Sequence, residues 1–421
     1  ARRGEPVRTL ESHVCGRWHS PPGEGFATHH AVTGRPVAGV SSDGIDFSAV
    51  VGHARHVGGP ALRALTFHER AALLKALGQH LLTEKDHLYD LSTATGATRA
   101  DSWIDIEGGA GVLLGYASKG RRELPNGHVL LEGEPEVLAR DGSFLAAHVA
   151  TPRRGVAVQV NAFNFPCWGA LEKLAPAFLA GLPTIVKPAT PTAFLTEAMV
   201  RLIVDSGILP DGALQLICGG LGDLFDHLDG QDAVGFTGSA TTAALLRTHP
   251  GLVDRSVRFN AEADSLNAAL LGPSAEPGTS EFDLFVAEVV REMTVKAGQK
   301  CTAIRRALVP RAHLEMATEA LATALAEVRV GDPSDPDTDM GALVGIGQRD
   351  EVRAAIADLC TTTDVVVDAC TFHDVDPAVG AFLAPTLLRA SDPEAGPVHD
   401  VEAFGPVCTL VGYDDPDHAV H

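Results

Sequence analysis

Apolar residues recur at three- and four-residue steps over residues 62–91, and this spacing predicts helix. A further helix is predicted over residues 93–118, although the adjacent glycines Gly108 and Gly109 weaken that stretch. Residues 1–45 show no clear period and are interpreted as an irregular arm with a few short strands. The N-terminal part of the chain is therefore expected to be largely helical after this arm.

The pattern changes between residues 120 and 150. Pro125-Asn126-Gly127 is a turn signal, and short apolar runs at 129–131 and 144–147 predict two strands. We interpret this segment as a pair of antiparallel strands that follows the helical region.

Strand-like and helix-like segments then alternate. Strands are predicted at 155–160, 183–186, 214–217 and 233–236, and helices at 168–179, 196–205 and 240–247. This alternation predicts an α/β fold with a parallel, doubly wound sheet. Ligands of such sheets bind beyond the carboxyl ends of the strands. A second α/β region is predicted after residue 255, with strands at 267–271, 305–309 and 407–411 and helices at 281–294, 314–328 and 348–359.

The composition of the 421 residues restricts the function classes. Hydrophobic residues make up 45% of the chain, and the formal net charge of -21 disfavours nucleic acid and anionic membranes as partners. The seven cysteines are odd in number and widely spaced, without a C-x-x-C, which argues against disulfides and structural zinc. No cluster of residues has the spacing of metal ligands, so no metal is assigned. We expect a cytoplasmic protein without a signal peptide.

Cys301 lies in the stretch M-T-V-K-A-G-Q-K-C-T-A-I-R-R. Gly298 permits a tight turn, and Lys300, Arg305 and Arg306 bring positive charge that would favour the thiolate. A thiolate attacks carbonyl carbon, so Cys301 is a candidate nucleophile. The alternative is a buried core cysteine, which is common.

Polar residues follow the predicted strands. Asn164 could donate to an oxyanion or simply occupy a turn, and Lys187 could bind a ribose or phosphate or be solvated. The glycine turn 219–222 and the stretch 236–239 (F-T-G-S) precede helices, where N–H groups favour anions. Glu262, in an apolar stretch, could be a general base with a raised pKa, or a surface residue.

Together these segments resemble the aldehyde dehydrogenase superfamily. The matching elements are F-N-F-P with Trp168, I-V-K-P-A, F-T-G-S, the Glu262 region, G-Q-K-C and E-A-F-G-P, in an order that covers nearly the whole chain. Stretches such as T-G-A-T-R-A-D-S-W-I-D-I-E-G-G and K-A-G-Q-K-C-T-A-I-R-R resemble more narrowly the dehydrogenase half of bifunctional phenylacetate-degradation proteins.

The resemblance implies a catalytic set. Cys301 would form a thiohemiacetal and then a thioester, Asn164 and the Cys301 N–H would hold the oxyanion, and Glu262 would activate the hydrolytic water. Lys173 matches a family lysine near the site. The implied cofactor-binding residues are Phe163, Lys187, Thr190, Gly220, Phe236, Thr237, Gly238, Ser239, Glu402 and Phe404.

Two departures from the family pattern affect these expectations. Thr190 stands where many NAD-preferring relatives carry a glutamate, so a 2′-phosphate is not repelled and we expect NADP as cofactor, with NAD as the alternative. Glu262 lies in A-E-A-D rather than the commoner E-L-G-G.

The resemblance also implies an aldehyde dehydrogenase fold: an NAD(P)-binding domain at 1–119 and 151–255, an oligomerisation hairpin at 120–150, and a catalytic domain at 256–421. A homo-oligomer, at least a dimer, is expected. The family continues well beyond Phe404, so we expect a C-terminally incomplete catalytic domain. The enoyl-CoA hydratase domain that is fused in the bifunctional relatives is not in this sequence.

The leading functional hypothesis is NADP-dependent oxidation of a CoA-linked semialdehyde of phenylacetate catabolism, 3-oxo-5,6-dehydrosuberyl-CoA semialdehyde. The alternatives are 3,4-dehydroadipyl-CoA semialdehyde of benzoate degradation, a CoA-acylating reaction, which Glu262 argues against, and a catalytically silent nucleotide-binding fragment.

Overall fold

The computed structural model describes residues 7–421; residues 1–6, the start of the predicted arm and N-terminal domain, lie outside this range. The chain divides into two compact units. The described part of unit 1 comprises residues 7–28, 38–88 and 103–263, and unit 2 comprises residues 29–37, 89–102 and 264–421. Each unit contains strands and helices, which confirms the predicted α/β class.

The elements up to residue 263 are mostly those of unit 1. The helices are α1 (Phe47–His53), α2 (Gly59–Arg63), α3 (Phe67–Glu84), α4 (Asp86–Ser92), α5 (Arg99–Glu123), α6 (Trp168–Leu179), α7 (Ala193–Asp205), α8 (Ala240–Arg247) and α9 (Pro250–Val253). The strands are β1 (Ser12–Val14), β2 (Arg17–His19), β3 (Phe26–His29), β4 (Pro36–Val40), β5 (Leu130–Val137), β6 (Leu145–Ala150), β7 (Ala157–Val160), β8 (Thr184–Lys187), β9 (Leu214–Leu216), β10 (Ala233–Gly238) and β11 (Arg258–Ala263).

The predicted helical region 62–91 consists of separate helices. α2 ends at Arg63, and Thr66 starts α3 as its N-cap: its hydroxyl accepts the N–H of Glu69, whose carboxylate accepts the Thr66 N–H. The Gly108-Gly109 pair, by contrast, does not interrupt α5. A Cβ at Gly108 would lie 2.4 Å from the Trp168 ring, so these glycines allow α6 to pack closely against α5.

Unit 1 is built on a seven-stranded sheet of order β11-β10-β7-β8-β9-β1-β2. The pairs from β11 to β9 are parallel, as predicted. The sheet is mixed, because β1 and β2 pair in antiparallel fashion at one edge. Its core contains Val158, Ile185, Val234 and Phe236 together with residues of α1 and α8.

The segment 120–150 starts with the last turn of α5, after which β5 and β6 pair as an antiparallel hairpin. Both strands are almost entirely exposed, and large apolar side chains such as Leu131, Val137 and Leu145 project from it. Exposed apolar surface of this kind is typical of interaction sites.

Unit 2 contains a five-stranded sheet of order β12-β13-β18-β17-β15, parallel except for the β15–β17 pair. The strands of this sheet are β12 (Asn267–Leu270), β13 (Ile304–Pro310), β15 (Thr363–Val367), β17 (Thr386–Ala390) and β18 (Val407–Tyr413), while β14 (Val330–Gly331) and β16 (Phe372–His373) pair as a separate two-stranded sheet. The helices of unit 2 are α10 (Ser280–Thr294), α11 (Leu314–Ala326), α12 (Ile346–Leu359), α13 (Gly396–Asp400) and α14 (Pro416–Val420).

Two predicted domain boundaries differ from these units. Residues 256–263 belong to unit 1 rather than to the C-terminal region, because β11 pairs in parallel with β10 over six residues. Residues 29–37 and 89–102 belong to unit 2. The Ala31 N–H donates to Ala94, the Ala381 N–H donates to Ala31, and Asp101 accepts the N–H of Lys296. The domain functions stay predictions.

Over residues 7–421, no helix is both long enough and apolar enough to cross a membrane.

Candidate active site

The carboxyl edge of the unit 1 sheet carries most of the predicted site residues. Because β7, β8, β9, β10 and β11 run parallel, the residues at or after their carboxyl ends lie along one edge. In strand order from β7 to β11 these are Phe163 and Asn164, Lys187 and Thr190, Gly220, the run Phe236, Thr237, Gly238 and Ser239, and Glu262.

Thr237 and Glu262 are register partners on β10 and β11, and the Thr237 hydroxyl lies 3.4 Å from a Glu262 carboxylate oxygen. The Glu262 side chain is exposed. The sequence had suggested an enclosed apolar environment. β11 is the edge strand of its sheet, however, and its alternate residues 258, 260 and 262 face outwards. The carboxylate is thus held beside a hydroxyl rather than in an apolar pocket.

Lys187 ends β8, and its backbone carbonyl accepts the N–H of Asn161 at 3.0 Å. Burial lowers the pKa of the Lys187 ammonium from its ordinary value. A partly desolvated ammonium interacts strongly with polar or anionic ligands, because water screens it less. Thr190 opens the short 3-10 turn Thr190–Thr192 that leads into α7, and it is partly accessible.

Ser239 caps α8, since its hydroxyl accepts the N–H of Thr242. Just before it, a Cβ at Gly238 would lie 2.6 Å from the tip of the Phe236 ring, so a larger residue there would displace this ring. Gly219, with φ of 147°, turns the chain after β9 against the Ser42 backbone, and exposed Gly220 follows it. These strand-to-helix turns present backbone N–H groups, which suits a phosphate-containing cofactor.

Asp105 fixes the segment that carries Asn164, a role that the sequence reasoning missed. Its fully buried carboxylate accepts the N–H groups of Cys167 and Trp168, at 3.1 and 2.8 Å, at the start of α6. Asn164, which is itself buried, lies directly upstream. One turn into α6, the Lys173 ammonium contacts the Glu172 carboxylate at 2.9 Å.

In unit 2 the loop before Cys301 has an unusual backbone. Lys296, Ala297 and Gly298 all have left-handed conformation, with φ of 57°, 50° and 68°. Side chains disfavour this conformation, so the surrounding structure must hold it. Buried Asp101 does so by accepting the Lys296 N–H at 2.8 Å.

The backbone on both sides of Cys301 is fixed by side chains. The carbonyl of Cys301 accepts from the Ser265 hydroxyl at 2.5 Å and from the Asn267 amide at 2.6 Å. The carbonyl of Lys300 accepts from the Arg305 guanidinium at 3.2 Å. Ser265, Asn267 and Arg305 were also missed as site residues; the signals were the polar residues in E-A-D-S-L-N and the arginine pair in C-T-A-I-R-R.

The three cations near Cys301 also have partners of their own, and their effect on the thiol stays a prediction. The Lys300 ammonium pairs with the Glu292 carboxylate at 2.7 Å, and both side chains are buried. Arg305 binds backbone carbonyls, and Arg306 contacts the Leu266 carbonyl and His399.

Glu402 and Phe404 lie on the loop before β18. Burial raises the pKa of the Glu402 carboxyl, while Arg305 and the backbone N–H of Ser265 oppose that rise. The Ser265 hydroxyl is 3.5 Å from the Glu402 carboxylate. The Phe404 ring lies 5.5 Å from the Arg305 guanidinium carbon, and the Phe404 carbonyl accepts from Gln348. Ser265 and Arg305 therefore connect the Cys301 loop with the Glu402 loop inside unit 2.

The two units thus carry different parts of the predicted set. Unit 1 brings the strand-end residues and Glu262 to one sheet edge, and unit 2 holds Cys301, Glu402 and Phe404 in one hydrogen-bonded network. Their catalytic and cofactor-binding roles stay predictions. Among residues 7–421, no group of three or more histidine, cysteine or acidic side chains is arranged to hold a metal ion.

Comparison with known proteins identifies the family. The family model "Aldehyde dehydrogenase family" matches residues 18–421. A 3,4-dehydroadipyl-CoA semialdehyde dehydrogenase from Aromatoleum evansii is 47% identical over 416 residues, which cover 98% of this chain and 81% of that protein.

Solved structures show the same fold at lower identity. An aldehyde dehydrogenase from Mycobacterium tuberculosis, complexed with NAD+, has a TM-score of 0.84 and 23% identity, covering 99% of this chain and 83% of its own. An NADP-dependent enzyme from E. coli has a TM-score of 0.83 and 23% identity, covering 98% of this chain and 82% of its own. The chain therefore belongs to the aldehyde dehydrogenase family and is an NAD(P)-dependent oxidoreductase acting on aldehydes.

Proposed function

We propose that the chain oxidises a CoA-linked semialdehyde to the corresponding acid, with NADP as the preferred cofactor and 3,4-dehydroadipyl-CoA semialdehyde as the substrate. The observation that carries the substrate class is the 47% identity, over 98% of the chain, to a relative named for that reaction. 3-Oxo-5,6-dehydrosuberyl-CoA semialdehyde is the second candidate, supported by the sequence stretches that resemble phenylacetate-degradation proteins.

In the proposed reaction, the Cys301 thiolate attacks the aldehyde carbon, forming a C–S bond and an oxyanion. The Cys301 N–H and the Asn164 amide stabilise this oxyanion as hydrogen-bond donors. When bound, NAD(P) supplies the oxidant, accepting the hydride that leaves the same carbon. Loss of that hydride leaves a thioester on Cys301; Glu262 takes a proton from water, whose oxygen attacks the thioester carbon, and the C–S bond breaks to release the acid and the Cys301 thiolate. Lys173 is assigned to the same site by resemblance.

The cofactor residues fit an anionic dinucleotide. Lys187 offers a partly desolvated ammonium, and the turns at Gly220 and Ser239 offer backbone N–H groups. Glu402 offers a carboxylate acceptor for ribose hydroxyls. Phe163, Phe236, Thr237 and Phe404 complete the proposed contacts. Thr190 supports the NADP preference, because it leaves no carboxylate at its position to repel a 2′-phosphate.

The decisive experiment measures NADPH formation by the purified chain with both CoA semialdehydes, comparing the parent with Cys301→Ala and Glu262→Gln. We expect turnover in the parent, none in Cys301→Ala, and in Glu262→Gln one round of NADPH formation followed by a stalled thioester, visible by mass spectrometry. An acyl-CoA product in place of the acid would instead support the CoA-acylating alternative. NADP binding without any turnover would support the nucleotide-binding alternative.

We further propose a homo-oligomer assembled through the β5–β6 hairpin, and a cytoplasmic location. The exposed apolar side chains of the hairpin support the first proposal. Light scattering on the parent and on Leu131→Asp tests it, because a charge in an apolar contact should dissociate the assembly and so lower the measured molecular mass.

The wide cysteine spacing supports the cytoplasmic location, and fractionation of cells expressing the chain would test it.

A further inference from the structure

Arg305 binds three backbone carbonyls from two loops. One terminal nitrogen, Nη1, donates to the Gly405 carbonyl at 2.7 Å. The other, Nη2, donates to the Gly298 carbonyl at 2.8 Å and to the Lys300 carbonyl at 3.2 Å. The side chain is only 5% exposed. A planar guanidinium with a rigid fork of donors can span loops in this way, whereas an ammonium cannot hold the same geometry.

The bond to Lys300 has a directional consequence for Cys301. The described residues contain no cis peptide bond, so the Lys300–Cys301 peptide is trans. In a trans peptide the carbonyl and the N–H point in opposite directions. Because the Arg305 guanidinium, together with the Ala303 N–H, holds the Lys300 carbonyl, it also helps to fix the direction of the Cys301 N–H, which points away from the guanidinium.

The next peptide is fixed independently. Ser265 and Asn267 hold the Cys301 carbonyl, which belongs to the peptide after the one that carries the Cys301 N–H. The two peptides that flank Cys301 are therefore held separately, and the one that carries the Cys301 N–H is held at the Lys300 carbonyl by Arg305 and by the Ala303 N–H, each at 3.2 Å.

We propose that Arg305 is a positioning residue for the oxyanion. Its contact with the Lys300 carbonyl orients the Cys301 N–H, and its contacts with the Gly405 carbonyl and the Phe404 ring hold the Cys301 loop against the loop that carries Glu402. The inference rests on the proposed role of the Cys301 N–H as an oxyanion donor. It predicts that loss of Arg305 slows reactions in which an oxyanion forms at the substrate carbon. Reactions of the Cys301 thiol that form no oxyanion should be slowed less.

The test compares Arg305→Lys with the parent in two reactions. The first is NADP-dependent oxidation of hexanal, in which attack creates an oxyanion. The second is alkylation of Cys301 by iodoacetamide, a displacement at saturated carbon without an oxyanion, followed by peptide mass spectrometry. Rates are normalised to the amount of folded enzyme, taken from the amplitude of the thermal unfolding transition, so that partial misfolding does not mimic the effect. Arg305→Gln serves as a second variant in case the lysine variant is insoluble.

Arg349→Lys is the matched control. Arg349 is also a buried arginine of unit 2 that donates to two backbone carbonyls, those of Pro377 and Gly380, at 2.9 and 3.1 Å. Its loss should lower the melting temperature in the same way as loss of Arg305. It should leave both reactions unchanged, because neither carbonyl lies in the Cys301 loop.

In Arg305→Lys we expect kcat for hexanal to fall by about 100-fold, as for a misdirected oxyanion donor, with the alkylation rate within about threefold of the parent. Retention of parental kcat would overturn the proposal, and so would an equal fall in both reactions, which would mean that the thiol itself had moved. If hexanal is not turned over by the parent, the same comparison uses the CoA semialdehydes; a parent inactive with all of these aldehydes, or an active Cys301→Ala, would instead refute the proposed function.

Discussion

The carboxylate of Asp101 accepts the backbone N–H of Lys296 at 2.8 Å, although the two residues are 195 positions apart in the sequence. The other oxygen of the same carboxylate accepts the Thr98 N–H at 3.0 Å, and the Thr98 hydroxyl accepts the Asp101 N–H at 3.2 Å. One buried side chain thus caps the start of α5 and anchors the left-handed turn that leads to Cys301.

Replacing Asp101 with asparagine should destabilise the protein by about 1–3 kcal/mol, because one of the two N–H groups would then face an NH2 group instead of an oxygen. The turnover of folded enzyme should fall as well, since the strained turn loses its anchor. Urea unfolding measures the first effect and NADPH formation the second. Asp90→Asn, at an exposed position nearby in the sequence, should change stability by less than about 0.5 kcal/mol. Equal stability of the two variants would contradict this role.

Gly298→Ala should be strongly disruptive. A Cβ at this position would lie 2.1 Å from the Gly405 carbonyl oxygen, and φ of 68° is itself unfavourable for alanine. Steric overlap and backbone strain together should lower the free energy of unfolding by at least about 2 kcal/mol. Thermal unfolding measures this loss of stability, and NADPH formation measures the accompanying loss of turnover.

The matched control for this change is Gly347→Ala in α12, where a Cβ would meet nothing within 4 Å. Helix propensity should make that variant more stable, by about 0.5–1 kcal/mol. If Gly298→Ala were as stable and active as the parent, the close approach of the Cys301 loop to Gly405 would be wrong.

Thr190→Glu should shift the cofactor preference from NADP towards NAD. A carboxylate beside the 2′-phosphate would introduce like-charge repulsion, for which we expect a loss of about 10- to 100-fold in kcat/KM for NADP with little change for NAD. Thr190→Gln, similar in size but uncharged, separates charge from bulk and should keep the preference of the parent. A parent that already prefers NAD would refute the cofactor proposal at the outset.

Cofactor binding should weaken in mildly acidic solution. Because burial raises the pKa of Glu402, its carboxyl gains a proton at higher pH than an ordinary glutamate and then loses acceptor capacity for a ribose hydroxyl. The affinity for NADP, followed by fluorescence, should therefore be highest above the raised pKa and fall as the pH drops through it. The Glu402→Gln variant should bind NADP more weakly at neutral pH, and its affinity should no longer fall through this pH range. If the affinity of the variant fell with pH as in the parent, Glu402 would not be the group that titrates.

Local patterns predicted a large part of the fold. The helix at 168–179 and the helix at 240–247 were predicted with the bounds that the structure shows, and the parallel strands were found within a few residues. Alternating apolar segments report this arrangement directly, because each strand or helix must bury its own apolar face. The same order of strands predicted which polar residues would share the carboxyl edge of the sheet.

The relations that the sequence did not reveal are those between residues far apart in the chain. The pairing of β10 with β11 places Glu262 in unit 1, and the Asp101 carboxylate binds the backbone N–H of Lys296, 195 positions away. The apolar surroundings considered for Glu262 are not found for the same reason, since packing against each face of the sheet decides which alternate side chains of a strand are exposed.

The sequence by itself determined the family, the candidate nucleophile and the order of the site segments, because motifs such as G-Q-K-C and F-T-G-S are local and keep their spacing. Only the tertiary structure decided how the nucleophile loop is held. Its strained turn depends on Asp101, and its peptides depend on Ser265, Asn267 and Arg305. These contacts are hydrogen bonds to backbone groups, which every residue possesses, so no residue type in the loop itself specifies its partner.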